Sequence, residues 1–201
     1  MAPYGADFLT NYEIGWKTTL AGGALRFNGA IYQQDWKNFQ FSFLGANSFT
    51  EIHNGPNARI RGIEADLSYN HAGLTLTASG SYTDAKTRQN LCAIDDPTYS
   101  CTDTGNGNFI SAPAGTRLPI TPEFKFAGTA RYAFPIGDVD AHIQGLVAYQ
   151  SSAASDIRTQ IVETGTGNFI NPAALLGRID ESITANIAFG GELGAWSFEA
   201  Y

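Results

Sequence analysis

The sequence predicts an all-β protein, an antiparallel up-and-down transmembrane β-barrel segment of about eight strands. Three observations carry that expectation: a period-two alternation of apolar and polar residues, connections that are short and long in turn, and aromatic residues at both ends of the apolar face. Composition sets the frame. Only 15% of the 201 residues are charged and 12% are aromatic, and 22 Gly against 8 Pro suit a β-rich chain with many tight turns. The net charge of −7 argues against nucleic acid as a partner, because that role needs a basic face. No run of about 18 apolar residues is present, so no transmembrane helix is expected. The first ten residues lack the basic and apolar regions of a secretory signal.

Successive side chains of a strand point to opposite faces, so each strand reads as an apolar set opposed by a polar one. In the first strand Tyr12, Ile14, Trp16 and Leu20 share a face; in the second, Leu25, Phe27 and Ile31; in the third, Ile63, Ala65, Leu67 and Tyr69. The fourth, 74–84, is the clearest. Leu74, Leu76, Ala78, Gly80 and Tyr82 oppose Thr75, Thr77, Ser79, Ser81 and Thr83. In the fifth, Phe124, Phe126, Ala130, Tyr132 and Phe134 oppose Lys125, Thr129 and Arg131. The sixth sets Val139, Ala141, Ile143, Val147 and Tyr149 against Asp140, His142, Gln144 and Gln150. Ile183, Ala185, Ile187 and Phe189 mark the seventh, and Trp196 with Phe198 the eighth.

The connections alternate. Residues 21–23, 70–73, 135–138 and about 190–194 are hairpin-sized and carry the Gly or Asn that positive φ angles need. Residues 37–57, 85–121 and 151–178 are long and polar. All short turns therefore fall on one edge of the sheet, the layout of a membrane barrel with short periplasmic turns and long extracellular loops. In the first long connection, 38–44 and 49–53 are β-prone. They predict that strands two and three overshoot the membrane and meet in a hairpin near Gly45 to Ser48.

Polarity decides which face is outside. A soluble barrel or sandwich would bury the apolar face and expose the polar one to water. Here the polar face carries small neutral groups such as Thr75, Thr77, Ser79, Ser81, Thr184 and Asn186. Tyr69 and Phe134 lie beside short turns while Tyr82 and Tyr149 lie beside long loops, the placement of two interfacial girdles. Cys92 and Cys101 are expected to form a disulfide closing a small polar loop, which implies an oxidising compartment. The segment 105–110 (GNGNFI) recurs as 165–170 (GTGNFI), which would set two similar loop elements side by side over the barrel mouth.

Four segments in order resemble the barrels of TonB-dependent receptors. Residues 11–17 (NYEIGWK) resemble the family's NYE-x-G-x-K strand, and 28–40 (NGAIYQQDWKNFQ) its strand ending in an aromatic and Asn-x-Gln. Asn54, Ala58, Ile60, Gly62, Ile63 and Glu64 match a third strand in outline. Arg117-Leu118-Pro119 followed by Pro122-Glu123 resembles a stretch leading into a later strand. The resemblance implies a barrel of 22 strands around an N-terminal plug, in the Gram-negative outer membrane. It implies import of a scarce nutrient driven by the TonB complex through the plug: a ferric siderophore first, with oligosaccharide or cobalamin as the other candidates. On that reading residues 1–201 are part of the C-terminal half of such a barrel, truncated at both ends, without plug or TonB box. An isolated segment would leave two open sheet edges in lipid and is expected neither to insert nor to transport. The competing expectation is a complete eight-stranded outer-membrane barrel with a structural or adhesive role.

No catalytic constellation is present, so no enzyme is expected, and no cofactor or metal either. His53, His71 and His142 are scattered, and neither G-x-S-x-G nor Cys-x-x-Cys occurs. Asp95, Asp96 and Asp103 cluster around the cysteines without EF-hand spacing, and a solvated acidic loop is expected over a calcium site. A transported ligand would meet Trp36, Phe39, Gln40, Arg117 and Arg158, whose aromatic and guanidinium groups suit an anionic iron chelate.

Overall fold

The computed structural model describes residues 4–44, 49–163 and 165–201. Among the described residues sixteen strands follow in order. The first half of the chain holds β1 (Phe8–Leu20), β2 (Leu25–Lys37), β3 (Gln40–Leu44), β4 (Thr50–Asn54), β5 (Ala58–His71), β6 (Leu74–Thr87), β7 (Leu91–Cys92) and β8 (Ile110–Ala112). The second half holds β9 (Phe124–Ile136), β10 (Val139–Gln150), β11 (Ala153–Ala154), β12 (Ile161–Val162), β13 (Phe169–Ile170), β14 (Arg178–Ile179), β15 (Ser182–Leu193) and β16 (Trp196–Ala200). Eight of them form one antiparallel sheet in the order β1-β2-β5-β6-β9-β10-β15-β16. Each is joined to its sequential neighbour, which is the predicted meander. β1 and β16 are its edges, and the sheet does not close on itself.

The short turns are tighter than their composition suggests. Only Ala72 and Gly73 separate β5 from β6, with φ of 49° and 82°, the pair of positive angles that matches the twist of a two-residue hairpin. Gly137 (φ 60°) and Gly194 (φ 61°) open equally short turns after β9 and β15. Pro135 sits within β9 because β6 ends opposite Tyr132, so no ladder partner on that side asks for the missing N–H.

Ladder partners share a face, so the register assigns every side chain. Ile14, Ile31, Ile63, Tyr82 and Phe124 form one direct row across five strands. From this row to the short turns, no outward position on any of the eight strands is charged. Much of this surface is bare: Ile14 is 79% exposed, Ile183 72% and Ile187 67%. A water-facing sheet would not leave it so, whereas lipid-facing strands require it. The opposite face carries Glu13, Lys17, Glu64, Asp66 and Lys125 around a trough of about 750 Å³.

The buried core lies elsewhere, on the inner face at the long-loop end. Phe39, Ala58, Ile60, Ala85, Leu91, Ala112, Leu118 and Ile157 pack there, with Tyr32, Trp36 and Phe41 against them. β5 and β6 supply the wall, and the two long loops fold inward to supply the rest. The predicted overshoot of strands two and three is broken. Asn38 takes φ of 51°, turning Phe39 into the core at 3% exposure, and β3 and β4 pair as a separate hairpin. The predicted tip of that hairpin, 45–48, lies outside the described residues.

One close approach is tied to this wall. The Tyr32 ring lies over Gly62, its ladder partner, and its hydroxyl is 3.1 Å from Thr83 Oγ1. A Cβ on Gly62 would overlap that ring and sit 2.6 Å from the Tyr82 carbonyl oxygen. Gly62→Ala is therefore expected to cost about 1–3 kcal/mol through overpacking. A lowered melting temperature of the heat-modifiable barrel in detergent is the measurement.

Candidate functional site

At the long-loop end the two faces exchange polarity. On β5 the outward series Tyr69, Leu67, Ala65, Ile63 continues as Arg61 and Arg59, while the inward series Asp66, Glu64 continues through Gly62 as Ile60 and Ala58. On β6 the outward series passes from Tyr82 to Asp84 and Lys86, as the inward series passes from Ser81 and Thr83 to Ala85. The inversion marks where the sheet leaves its apolar surroundings: above it, water is outside and a loop-covered core is inside. The candidate site is this loop-covered mouth.

The loops that cover it are tied together. Cys92 and Cys101 are bridged. Within that ring, Asp96 Oδ1 accepts hydrogen bonds from Thr98 N (2.9 Å) and Thr98 Oγ1 (2.7 Å). Asp96 Oδ2 accepts from Ser100 Oγ (3.0 Å) and Cys101 N (2.9 Å). The Thr98 hydroxyl, first, with the backbone amides holds this carboxyl down at about 2. Asp103 is lowered in the same way by the amides of Gly107 and Gly105. Asp96 and Asp103 therefore serve the loop's own backbone, and among the described residues no group of three or more His, Cys, Asp or Glu side chains could hold a metal ion. Because the folded pKa is depressed, the contribution of Asp96 is complete above the ordinary carboxylate value of 3.8 and fades as pH falls toward about 2. Amide exchange of Thr98 and Cys101, corrected for intrinsic rate, is expected to accelerate across that window and to stay flat from pH 5 to 7.

The repeated segments meet. Gly105 and Gly107 take φ of 92° and 76°, and Gly165 and Gly167 take 96° and 72°, so both copies make the same turn before a returning strand. Phe109 and Phe169 touch edge to face with centroids 4.9 Å apart. Ser111 Oγ donates to the Gln160 carbonyl (3.1 Å) and the Ser111 carbonyl accepts from Thr159 N (2.8 Å), joining one long loop to the other.

Of the five residues expected to meet a ligand, three lie together. The Trp36 ring packs tilted against Phe39, centroids 5.6 Å apart, and its Nε1 donates to Asp7 Oδ2 (2.8 Å). Gln40 Nε2 donates to the Gly5 carbonyl (3.0 Å). Phe39 is core, behind Trp36. Arg158 is forked onto Asp156, with Nε 3.0 Å from Oδ1 and Nη2 2.6 Å from Oδ2. Arg117 bridges to Lys86 in the sheet, which places it on the outward face, where it pairs with Glu123. Trp36, Phe39 and Gln40 lie in one segment, and nothing in the residue types told Phe39, turned inward at Asn38, from Trp36. The bridge partner of Arg117 was likewise invisible without the register.

This geometry defines an open wall of an up-and-down membrane β-barrel with inward-folded loops at one end. The family model described as TonB dependent receptor-like, beta-barrel matches residues 8–184, and the chain belongs to that family. Its members are transport receptors, not enzymes. No curated protein sequence matches the chain. Among solved structures, the ferric yersiniabactin uptake receptor FyuA from Yersinia pestis is similar at 15% identity and a TM-score of 0.61, over 94% of this chain and 23% of that one. The ferric-catecholate import receptor Fiu from E. coli K12 gives 16% and 0.58 over 96% and 22%. The siderophore receptor PiuA from Acinetobacter baumannii gives 13% and 0.58 over 93% and 22%. The chain thus spans about a quarter of the length of these receptors.

Proposed function

We propose that these strands form part of the wall and mouth of an outer-membrane receptor that imports a ferric siderophore, with energy from the TonB complex. The observation that supports this best is the pairing of an uncharged outward face with a polar inner trough, under a mouth built from loops. Such a segment lines a lumen rather than filling one, and its two open edges call for further strands to close the barrel. The receptors similar in fold carry names of siderophore uptake, which favours an iron chelate over an oligosaccharide or cobalamin. At the mouth, Trp36 and Gln40 are the ligand-facing candidates on a floor formed by Phe39, while the charge of Arg158 is answered by Asp156 and Arg117 faces away. A plug domain elsewhere in the receptor would make the TonB contact, and lipid would surround the outward face.

The test is uptake. Cells carrying the intact receptor should accumulate labelled iron from a ferric siderophore only when TonB is present, and deletion of the receptor should abolish it. Normal uptake without TonB, or no change on deletion with any chelate, would contradict the reading. A self-contained eight-stranded barrel would instead fold alone in vesicles with β1 paired to β16.

A further inference from the structure

The donors of Trp36 and Gln40 are already taken by the chain itself. Residues 4–7, just before β1, run across them without joining any ladder. Trp36 Nε1 donates to Asp7 Oδ2 (2.8 Å), and Gln40 Nε2 donates to the Gly5 carbonyl (3.0 Å). Asn54, the ladder partner of Gln40, completes the hold. Its Oδ1 accepts from Gly5 N (2.6 Å), and its Nδ2 donates to the Gly5 carbonyl (3.0 Å) and to the Asn38 carbonyl (2.9 Å). One side chain thus meets both backbone groups of Gly5, as a neighbouring strand would. The segment has little else to hold it. Tyr4 is 55% exposed, no residue of 4–7 belongs to the loop-end core, and among the described residues Asp7 has no ion-pair partner. Lifting residues 4–7 away therefore uncovers no core. It also leaves the β1–β2 ladder intact, since that begins at the pairing of Phe8 with Lys37. Trp36 keeps its place without them, because its ring packs on Phe39.

We infer that residues 4–7 are a strap that competes with an anionic iron chelate for the donors of Trp36 and Gln40, an assignment that rests on the siderophore reading above and gives that site its regulation. The Asp7 carboxylate and the Gly5 carbonyl sit where oxygens of the chelate would accept from the two side chains. The exchange is acceptor for acceptor, so the donors are never left bare in a desolvated mouth. An incoming anion takes both donors and repels the unpaired Asp7 carboxylate, so the strap leaves instead of sharing the site. Release is local. It breaks four exposed or half-exposed hydrogen bonds and disturbs neither the core nor the sheet. Affinity for the chelate is then reduced by the fraction of time the strap is in place.

The experiment uses the intact receptor purified from the outer membrane in a neutral detergent, with iron-labelled ferric catecholate and ferric hydroxamate chelates as probes. Asp7→Ala should bind the preferred chelate about tenfold more tightly than wild type, the gain expected when a competing state holding about nine-tenths of the population is removed. Asn54→Ala frees Gly5 without removing a charge and should gain in the same direction. Residues that only shaped the mouth would lose affinity when truncated. In the wild type, amide exchange of residues 4–7 should speed up on saturation with the chelate while that of β1 stays unchanged, a comparison that needs no variant. Equal or weaker binding by either folded, heat-modifiable variant would overturn the inference and leave the transport reading standing. So would exchange of 4–7 that fails to speed up in a wild type saturated with chelate. Failure of the wild type to bind either chelate would overturn both.

Discussion

Replacing Phe39 with alanine is expected to open the mouth while leaving the wall intact. Phe39 is 3% exposed and touches Trp36 and Phe41 at ring distances of 5.6 and 5.5 Å, so truncation leaves a cavity in the core that fastens the loops to β5 and β6. Losses for a buried phenylalanine run to about 3–5 kcal/mol. The loss falls on the loop-end core and not on the eight-strand ladder, because the two are separate packing units. Limited proteolysis should therefore cut the segments 88–123 and 151–181 in the variant and spare them in the wild type. The heat-modifiable mobility of the folded barrel should be unchanged. If the variant instead unfolded as a whole, the loop-end core would be the keystone of the barrel and the separation drawn here would fail.

A second large effect comes from moving one charge by one residue. Leu67 lies outward in the row Phe27, Leu67, Ala78, Gly128, well below the polarity inversion, while Ser68 beside it faces the trough. Leu67→Arg in lipid is expected to cost about 2–4 kcal/mol, because a guanidinium at mid-depth must either desolvate or deform the bilayer. Ser68→Arg places the same group toward the polar interior and should change stability by less than about 1 kcal/mol. Denaturant-induced unfolding from vesicles would read both, and only their difference matters. Equal costs would mean that neither face meets lipid.

How far the sequence announced this structure can be told strand by strand. Within 74–84 the alternation holds without a fault from Leu74 to Thr83 and the segment appears as β6 within a few residues of its expected ends, because a face in lipid tolerates no charge and period two is then enforced; Asp84, on the outward parity, stands above that face. The pairings β7 with β8, β11 with β14 and β12 with β13 are two or three residues long and carry no alternation to detect. They are held by the loops' own disulfide, side-chain caps and the Phe109–Phe169 contact, which depend on segments far apart in the chain. The polarity inversion was hidden for a different reason. Arg59, Ile60, Arg61 and Gly62 still alternate, so the period continues unbroken while its phase reverses in meaning. Only the ladder partners on β2 and β6, and the loops packed on Ile60 and Ala85, reveal that apolar now points inward. The same blindness put Arg117 among the mouth residues.

Cysteine scanning along β6 tests most directly the claim that the unbroken apolar surface is the lipid face. Single cysteines at 74 through 81 and at 83 would be placed in the intact receptor in outer-membrane vesicles, with Cys92 and Cys101 bridged and silent. Positions 75, 77, 79, 81 and 83 should react with a small water-soluble maleimide entering the lumen, while 74, 76, 78 and 80 should react only with a lipid-soluble reagent. The opposite phase, or labelling of both series from water, would contradict the account.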